Sequence, residues 1–452
     1  MAQIETIMKR HGGLWEHVVN WPNLIRAARK ARRGKRGRHC VQHFEFNQES
    51  ELVRLQQELA NGTYQPGKFR THWIRIPKPR LISAAPYRDR VIHHALMNVL
   101  EPILDRHFHP HSYACRSGKG THAAATRLQM LMGKYRYALQ CDVRKFFPSI
   151  DHDVLKDLFR RLIKDRSTLQ LMDLIVDSSN PQESVTAWFA GDDLFTPAQR
   201  RRGLPIGNLT SQWFANWMLT PLDYFVTRVL GIGAYVRYCD DFVLLHDDPE
   251  ALKDATNKIR EFLASRRLQL HEGKLAVRPT RCGLTFVGYR LWSTHRILRK
   301  ENVRRFRRRA AWLRRAYARH ELRWNDVRTR LASWIGHAKQ ANSVRLLRRL
   351  SREWVFVRGG GHNVARSARR VVEQQSTELP RRVPQQERAR QPEQQHRVPC
   401  LPALSADPTG TTPGIPALKG AGSEALKVQS PAPVPPANHR RPNVRRRAGR
   451  RW

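Results

Sequence analysis

Acidic residues are scarce in this chain. Its 452 residues hold 38 Asp and Glu against 82 Lys and Arg, a net charge of +44 at neutral pH. A field so one-sided argues against a secreted small-molecule enzyme and implies a polyanionic partner, usually nucleic acid. Cysteine is sparse too. Cys40, Cys115, Cys141, Cys239, Cys282 and Cys400 are scattered and form no CxxC pair. That excludes zinc knuckles and a disulfide framework and fits a reducing cytoplasm. Long apolar runs are missing, so no segment suits a bilayer and no membrane partner is expected. The opening MAQIETIMKRHGG lacks the apolar stretch of a signal peptide.

Aromatic residues are nearly absent from one end. Residues 359–452 contain 13 of the 27 prolines and one aromatic, Trp452. Such a segment buries too little apolar surface to offset its ordering entropy, and it is expected to be a disordered Pro/Gln/Arg-rich tail. It carries 17 basic and 6 acidic residues, or +11, which leaves +33 of the +44 on residues 1–358. That remainder is long enough for a sizeable core.

What is present reads as mixed α/β. Residues 89–105, 152–163 and 250–267 have helical periodicity, and short apolar runs at 137–143, 235–238, 242–245 and 284–291 read as strands. Residues 301–356 are helical and Arg-rich. There Val303, Phe306, Ala310, Leu313 and Tyr317 recur every three or four residues, a buried stripe on a cationic helix. Residues 178–202 read as a long irregular insertion.

The few carboxylates are oddly placed. YVRYCDDFVLL sets Asp240 and Asp241 between two β-prone runs, where a tight hairpin turn would sit. A solvated, inert Asp-Asp turn is the plain alternative. Adjacent carboxylates nevertheless repel unless a cation neutralises them. A third, Asp142, ends another apolar run in LQCDVRKFFPSID. Three carboxylates on neighbouring strand ends would suit Mg²⁺, which phosphoryl-transfer enzymes hold with few carboxylates plus substrate phosphates.

Seven blocks in order extend the pattern: RIPKPRLISAAPYRDRVIHHAL (75–96), SYACRSGKGTHAA (112–124), LQCDVRKFFPSIDH (139–152), GLPIGNLTSQWFANWML (203–219), YVRYCDDFVLL (235–245), LQLHEGKL (268–275) and LTFVGYRL (284–291). Together they resemble a reverse transcriptase of the bacterial retroelement type. The resemblance implies a right-hand polymerase, α/β in class. An N-terminal helical segment (1–69) would precede fingers and palm (70–300), a helical thumb (301–358) and the disordered tail (359–452). It also implies RNA-directed DNA polymerisation with two Mg²⁺ ions (Mn²⁺ able to substitute), an RNA template, a DNA primer and dNTPs, in a bacterial cytoplasm.

Carried over by position, Asp142, Asp240 and Asp241 are the metal-binding triad. Arg116, with Lys78 and Arg80, would neutralise the triphosphate, since guanidinium forks onto phosphate oxygens. Phe147 matches the steric gate against a ribose 2′-hydroxyl, Lys274 the lysine that assists pyrophosphate departure, and Gly288 and Tyr289 the primer grip. Solvated surface charge, core packing and simple turns are the ordinary alternatives for these types.

The fourth block bears on the subfamily. Where group II intron and retron enzymes commonly read QG and then SP, this chain has Ile206-Gly207 and Ser211-Gln212. IGNLTSQ resembles diversity-generating retroelement enzymes, with Gln212 beside the nucleotide site. That type implies adenine-directed errors, targeted mutagenic retrohoming and a small basic helical accessory protein. A group II intron or retron enzyme is the nearest rival, and a non-catalytic RNA-binding protein on a polymerase scaffold a rival of another class. Residues 368–400 add a clue. Shifted by one nucleotide, with synonymous third bases chosen freely, their codons can read a string from GGSW to NNNIGFR. That string resembles the variable region of such retroelements' target proteins. The tail would then be an out-of-frame translation of the template repeat.

Overall fold

The computed structural model describes residues 9–74, 79–180, 183–185, 187–358 and 366–367. All of these lie in the first of two units, which divide after Arg382. The tail expected over 359–452 lies outside the described residues, except that Arg366–Ser367 pairs antiparallel with Val355–Phe356.

Four helices come first: Trp15–Val19, Trp21–Ala31, His39–Phe46 and Gln48–Ala60. The second shows why they form. The Asn20 side chain accepts from the Asn23 N–H at 2.8 Å, Pro22 sits in the first turn, and Leu24, Ala27, Ala28 and Ala31 make a buried stripe at helical spacing. That stripe packs on the long helix Tyr87–His107. Between these elements β1 (Arg70–Ile74) and β2 (Arg80–Ala84) form an antiparallel hairpin. Sequence patterning did not show it, because every residue of β1 is exposed and alternation is lost.

The centre is an antiparallel sheet of β3 (Tyr137–Asp142), β4 (Tyr235–Tyr238), β5 (Asp241–His246) and β6 (Ala276–Pro279), in spatial order β4-β5-β3-β6. Side chains alternate between two apolar clusters. Leu139, Cys141, Phe242 and Leu244 face one, with helices Tyr87–His107, Leu209–Met218 and Pro249–Ala264. Ala138, Val243 and Leu245 face the other, with helix Thr121–Met132 and the C-terminal helices.

The apolar run at 284–291 is not one strand. Val287 at φ +41° and Gly288 at φ +91° fold it into a two-residue hairpin between β7 (Leu284–Phe286) and β8 (Tyr289–Leu291). Positive φ at both loop positions matches the right-handed twist of the flanking strands. β9 (Arg296–Leu298) completes this small sheet.

The Arg-rich region is three helices, Lys300–Ala318, Trp324–Lys339 and Val344–Glu353. Phe306, Ala310, Leu313 and Tyr317 are buried as expected, while Val303 is half-buried. Phe306 stacks on Trp334 with ring centroids 3.8 Å apart and meets Trp354 edge-on at 4.9 Å. Such pairs contribute about 0.5–1.5 kcal/mol each beyond their burial. The segment 178–202 is irregular where described, apart from a helical turn at Thr196–Gln199. Among the described residues no helix is long and apolar enough to cross a membrane.

Candidate active site

β4 and β5 join through a two-residue loop, Cys239-Asp240, since Tyr238 pairs with Asp241. Cys239 takes φ +57° there. On the other side of β5, Asp241 is the register partner of Asp142, the last residue of β3. Directly paired residues share a face, so the two carboxylates lie side by side, with Asp240 next along the chain. Backbone bonds fix the arrangement. Val143 N–H donates to the Asp240 carbonyl at 3.2 Å, and His271 N–H donates to the Asp142 carbonyl at 2.8 Å.

The electrostatics are unfavourable to three bare carboxylates. Burial pushes the Asp241 carboxyl up to about 7, and the charges of Asp142 and Asp240 push the same way. Gln140 opposes the shift by donating to Asp241 Oδ1 at 3.3 Å. Burial, then Asp142, also raises Asp240. Lys274 supplies the cation within reach: its Nζ lies 2.5 Å from Asp142 Oδ2. Among the described residues no three His, Cys, Asp or Glu side chains are gathered closely enough to hold a metal by themselves. The donor set is nonetheless all oxygen and mutually repelling, which suits a hard cation that completes its shell with water and phosphate.

The other expected residues fall around this turn unevenly. Gln212 is the one exposed residue of the stretch 210–218, in an otherwise buried helix. Its Oε1 lies 3.6 Å from Cys115 Sγ, so the second and fourth sequence blocks meet. Phe147 is half-buried in the helical turn Phe146–Ser149, entered from Lys145 at φ +43°, and its carbonyl accepts from Leu204 N–H at 2.9 Å. Arg80 is exposed at the start of β2, opposite Ile74. Lys78 lies outside the described residues.

Arg116 departs from the expectation of a free phosphate ligand. Its side chain is buried and paired with Asp105, Nε to Oδ1 at 2.5 Å. Nη1 donates to the carbonyls of His109 and Ser112, and Nη2 to that of Asp105. Helix Tyr87–His107 brings that carboxylate to it, so the guanidinium organises the 109–116 loop.

Gly288 and Tyr289 sit at the tip of the β7–β8 hairpin. Tyr289 is fully buried. Its hydroxyl lies 3.1 Å from His122 Nδ1, 2.9 Å from His337 Nδ1 and 2.9 Å from the His337 carbonyl. The Gly288 carbonyl accepts from Asn302 Nδ2 at 3.2 Å. Gly207, at φ +117°, is another close approach, because a Cβ there would meet Ile82 Cγ2 at 3.0 Å. Beside it Asn208 bridges to β2, accepting from Ala85 N–H and donating to the Ser83 carbonyl.

Gln140, Asn216, Asp223 and Arg237 were not among the expected site residues, although all border it. A visible signal existed for Arg237, a charge inside the apolar run YVRY.

The carboxylates gathered at these strand ends, inside a strongly basic chain, are compatible with nucleotidyl transfer. Residues 72–291 match the family described as "Reverse transcriptase (RNA-dependent DNA polymerase)". That match covers just under half of the chain and supports RNA-directed DNA polymerase activity. Among curated proteins it is similar to Protein YkfC of Escherichia coli K12, 25% identical over 285 residues, 53% of this chain and 71% of that protein. It is also similar to the Group II intron-encoded protein LtrA of Lactococcus lactis subsp. cremoris, 26% identical over 184 residues, 40% of this chain and 29% of LtrA. The match therefore spans under a third of LtrA's length. A solved structure, apo telomerase from Candida Tropicalis, overlaps 53% of this chain and 49% of its own at TM-score 0.38 and 13% identity.

Proposed function

We propose that the chain copies an RNA template into DNA, adding dNTPs to a primer at the turn formed by Asp142, Asp240 and Asp241. The observation that carries this reading is the register pairing of Asp142 with Asp241 beside the Cys239-Asp240 loop. Two Mg²⁺ ions, with Mn²⁺ able to substitute, would be held by these carboxylates and would activate the primer 3′-hydroxyl and the leaving pyrophosphate. The chain's own residues do the rest. Lys274, ion-paired with Asp142, assists the departure of pyrophosphate in this reading. Gln212 and Phe147 border the nucleotide, Phe147 against the sugar. Lys78 and Arg80 meet the phosphates, Arg116 shapes the loop beneath them, and Gly288 and Tyr289 bear on the primer.

In this reading residues 1–69 lead into fingers and palm over 70–300, a thumb over 301–358 and a dispensable tail beyond 359. The Asp240→Asn, Asp241→Asn double variant on a primed RNA template is the test. Undiminished dNTP incorporation would sink the assignment and favour a non-catalytic RNA-binding scaffold.

The finer reading is a diversity-generating retroelement enzyme, acting with a small basic accessory protein in the cytoplasm. IGNLTSQ at 206–212 and the frame-shifted reading of 368–400 support it. Similarity to a group II intron-encoded protein supports the second reading, an intron or retron enzyme. The flanking DNA separates them. A template repeat, an adenine-variant copy and an accessory frame mark the first; Gln and Glu codons of 373–395 that mostly end in G remove the frame-shift argument.

A further inference from the structure

The bulkiest fully buried side chain among the described residues is charged: Arg237, in β4, three positions before Asp240. Its partner Asp223, in the helical turn Thr220–Tyr224, is equally inaccessible. The guanidinium grips the carboxylate with two arms, Nε to Oδ1 and Nη2 to Oδ2, both at 2.6 Å. The Tyr235 hydroxyl donates a third bond to Oδ1 at 2.7 Å.

The remaining arm points elsewhere. Nη1 donates to the Asn216 side-chain oxygen at 2.7 Å and to the Cys239 carbonyl at 3.1 Å. Cys239 is the left-handed residue of the loop that presents Asp240, a conformation a non-glycine residue holds only under constraint. Arg237 supplies that constraint from within the protein.

Asn216 carries the network to the opposite wall. Its Nδ2 donates to the Ala114 carbonyl at 3.1 Å, and its Oδ1 also accepts from Ser112 Oγ at 3.3 Å. Ala114 precedes Cys115, whose Sγ meets Gln212 Oε1, and Gln212 lies one helical turn before Asn216. The backbone of β4 is joined to the same loop. Tyr113 N–H donates to the Arg237 carbonyl, and Arg237 N–H to the His111 carbonyl, both at 2.9 Å. One guanidinium thus stands at the joint between the carboxylate turn and the wall that carries Gln212. Stability alone does not account for it, because a well-packed apolar pair of similar volume often serves a core as well as a buried ion pair.

We propose that the buried Arg237–Asp223 pair is a positioning device that sets the carboxylate turn in register with the Gln212 wall, and so fixes the distance between Asp240–Asp241 and the bound nucleotide. The inference rests on the polymerase reading above.

The double variant Arg237→Met, Asp223→Leu tests it, since both charges leave together and neither is stranded. Primed-template incorporation is measured with dNTP and Mg²⁺ concentrations varied, beside thermal unfolding. The expected result is a folded protein with near-native Tm, an unchanged KM for primer–template, and kcat lower by about a hundredfold, the scale of a small misplacement of reacting groups. The Mg²⁺ concentration for half-maximal rate should rise. Arg237→Lys serves if the double variant fails to fold. It keeps a charge against Asp223 but has no second arm for Cys239, and kcat should fall while KM holds. Wild-type kcat in either folded variant overturns the inference. Absence of incorporation by the unmodified chain would instead overturn the polymerase reading, and this inference with it.

Discussion

Asp142 and Asp241 are cross-strand partners, side by side on one face of the central sheet. Like charges placed directly opposite weaken a sheet, so this pair is retained against stability. Asp241→Asn should lower dNTP incorporation about a thousandfold, the scale of losing one preorganised electrostatic contact to the reacting groups. Its thermal midpoint should hold or rise. The raised carboxyl of the native state penalises folding as pH climbs from the ordinary 3.8 through about 7, and the amide removes that penalty. Calorimetry at neutral pH beside the incorporation assay checks both halves; a large drop in midpoint would contradict the second.

Lys274→Met removes the cation held 2.5 Å from Asp142. On the proposed reading, in which Lys274 serves the leaving group, the single-turnover rate should fall about a hundredfold. The dNTP affinity should change far less. A variant impaired only in dNTP binding would point to a phosphate-anchoring role instead.

Phe147→Ala should relax sugar selection. Discrimination between dNTP and rNTP should narrow by about 1–3 kcal/mol, the range a shaped apolar contact supplies. Competing the two nucleotides at one template position measures it. Unchanged selectivity would return Phe147 to a packing role alongside Phe146.

Acid should destabilise the fold from an unusual source. His93 is buried, its Nδ1 has no hydrogen-bond partner among the described residues, and burial pushes it down to about 3; the half-buried His94 follows, to about 4. A histidine with a depressed native value stabilises the fold fully above its ordinary 6.5. It loses that contribution as pH falls, because only the unfolded chain takes the proton. His93 alone should cost about 2–3 kcal/mol by about pH 4.5. Urea unfolding between pH 7 and 4.5 should show that slope, and His93→Gln should flatten it.

Short apolar runs made β3, β4 and β5 legible, and recurrence every three or four residues the Arg-rich stripe, because those patterns lie within a few residues. The carboxylate turn was legible for the same reason: two β-prone runs flank it. What the sequence hid was tertiary. Nothing near Arg116 says that Asp105 will take its guanidinium, and nothing near Asp142 says that a lysine 132 positions away will reach it. β1 escaped notice because both its faces are exposed. The split of 284–291 hung on two backbone angles at Val287 and Gly288.

The Tyr289 hydroxyl has one hydrogen to give and two lone pairs, and three neighbours from His122 and His337 surround it. Its hydrogen-bonding capacity is full, and its ring stacks on His337 with centroids 4.5 Å apart. A ring held by both face and tip cannot swivel. Helix Trp324–Lys339 and the β8 strand are therefore geared together without slack. A shift of that helix would therefore carry the hairpin tip with it.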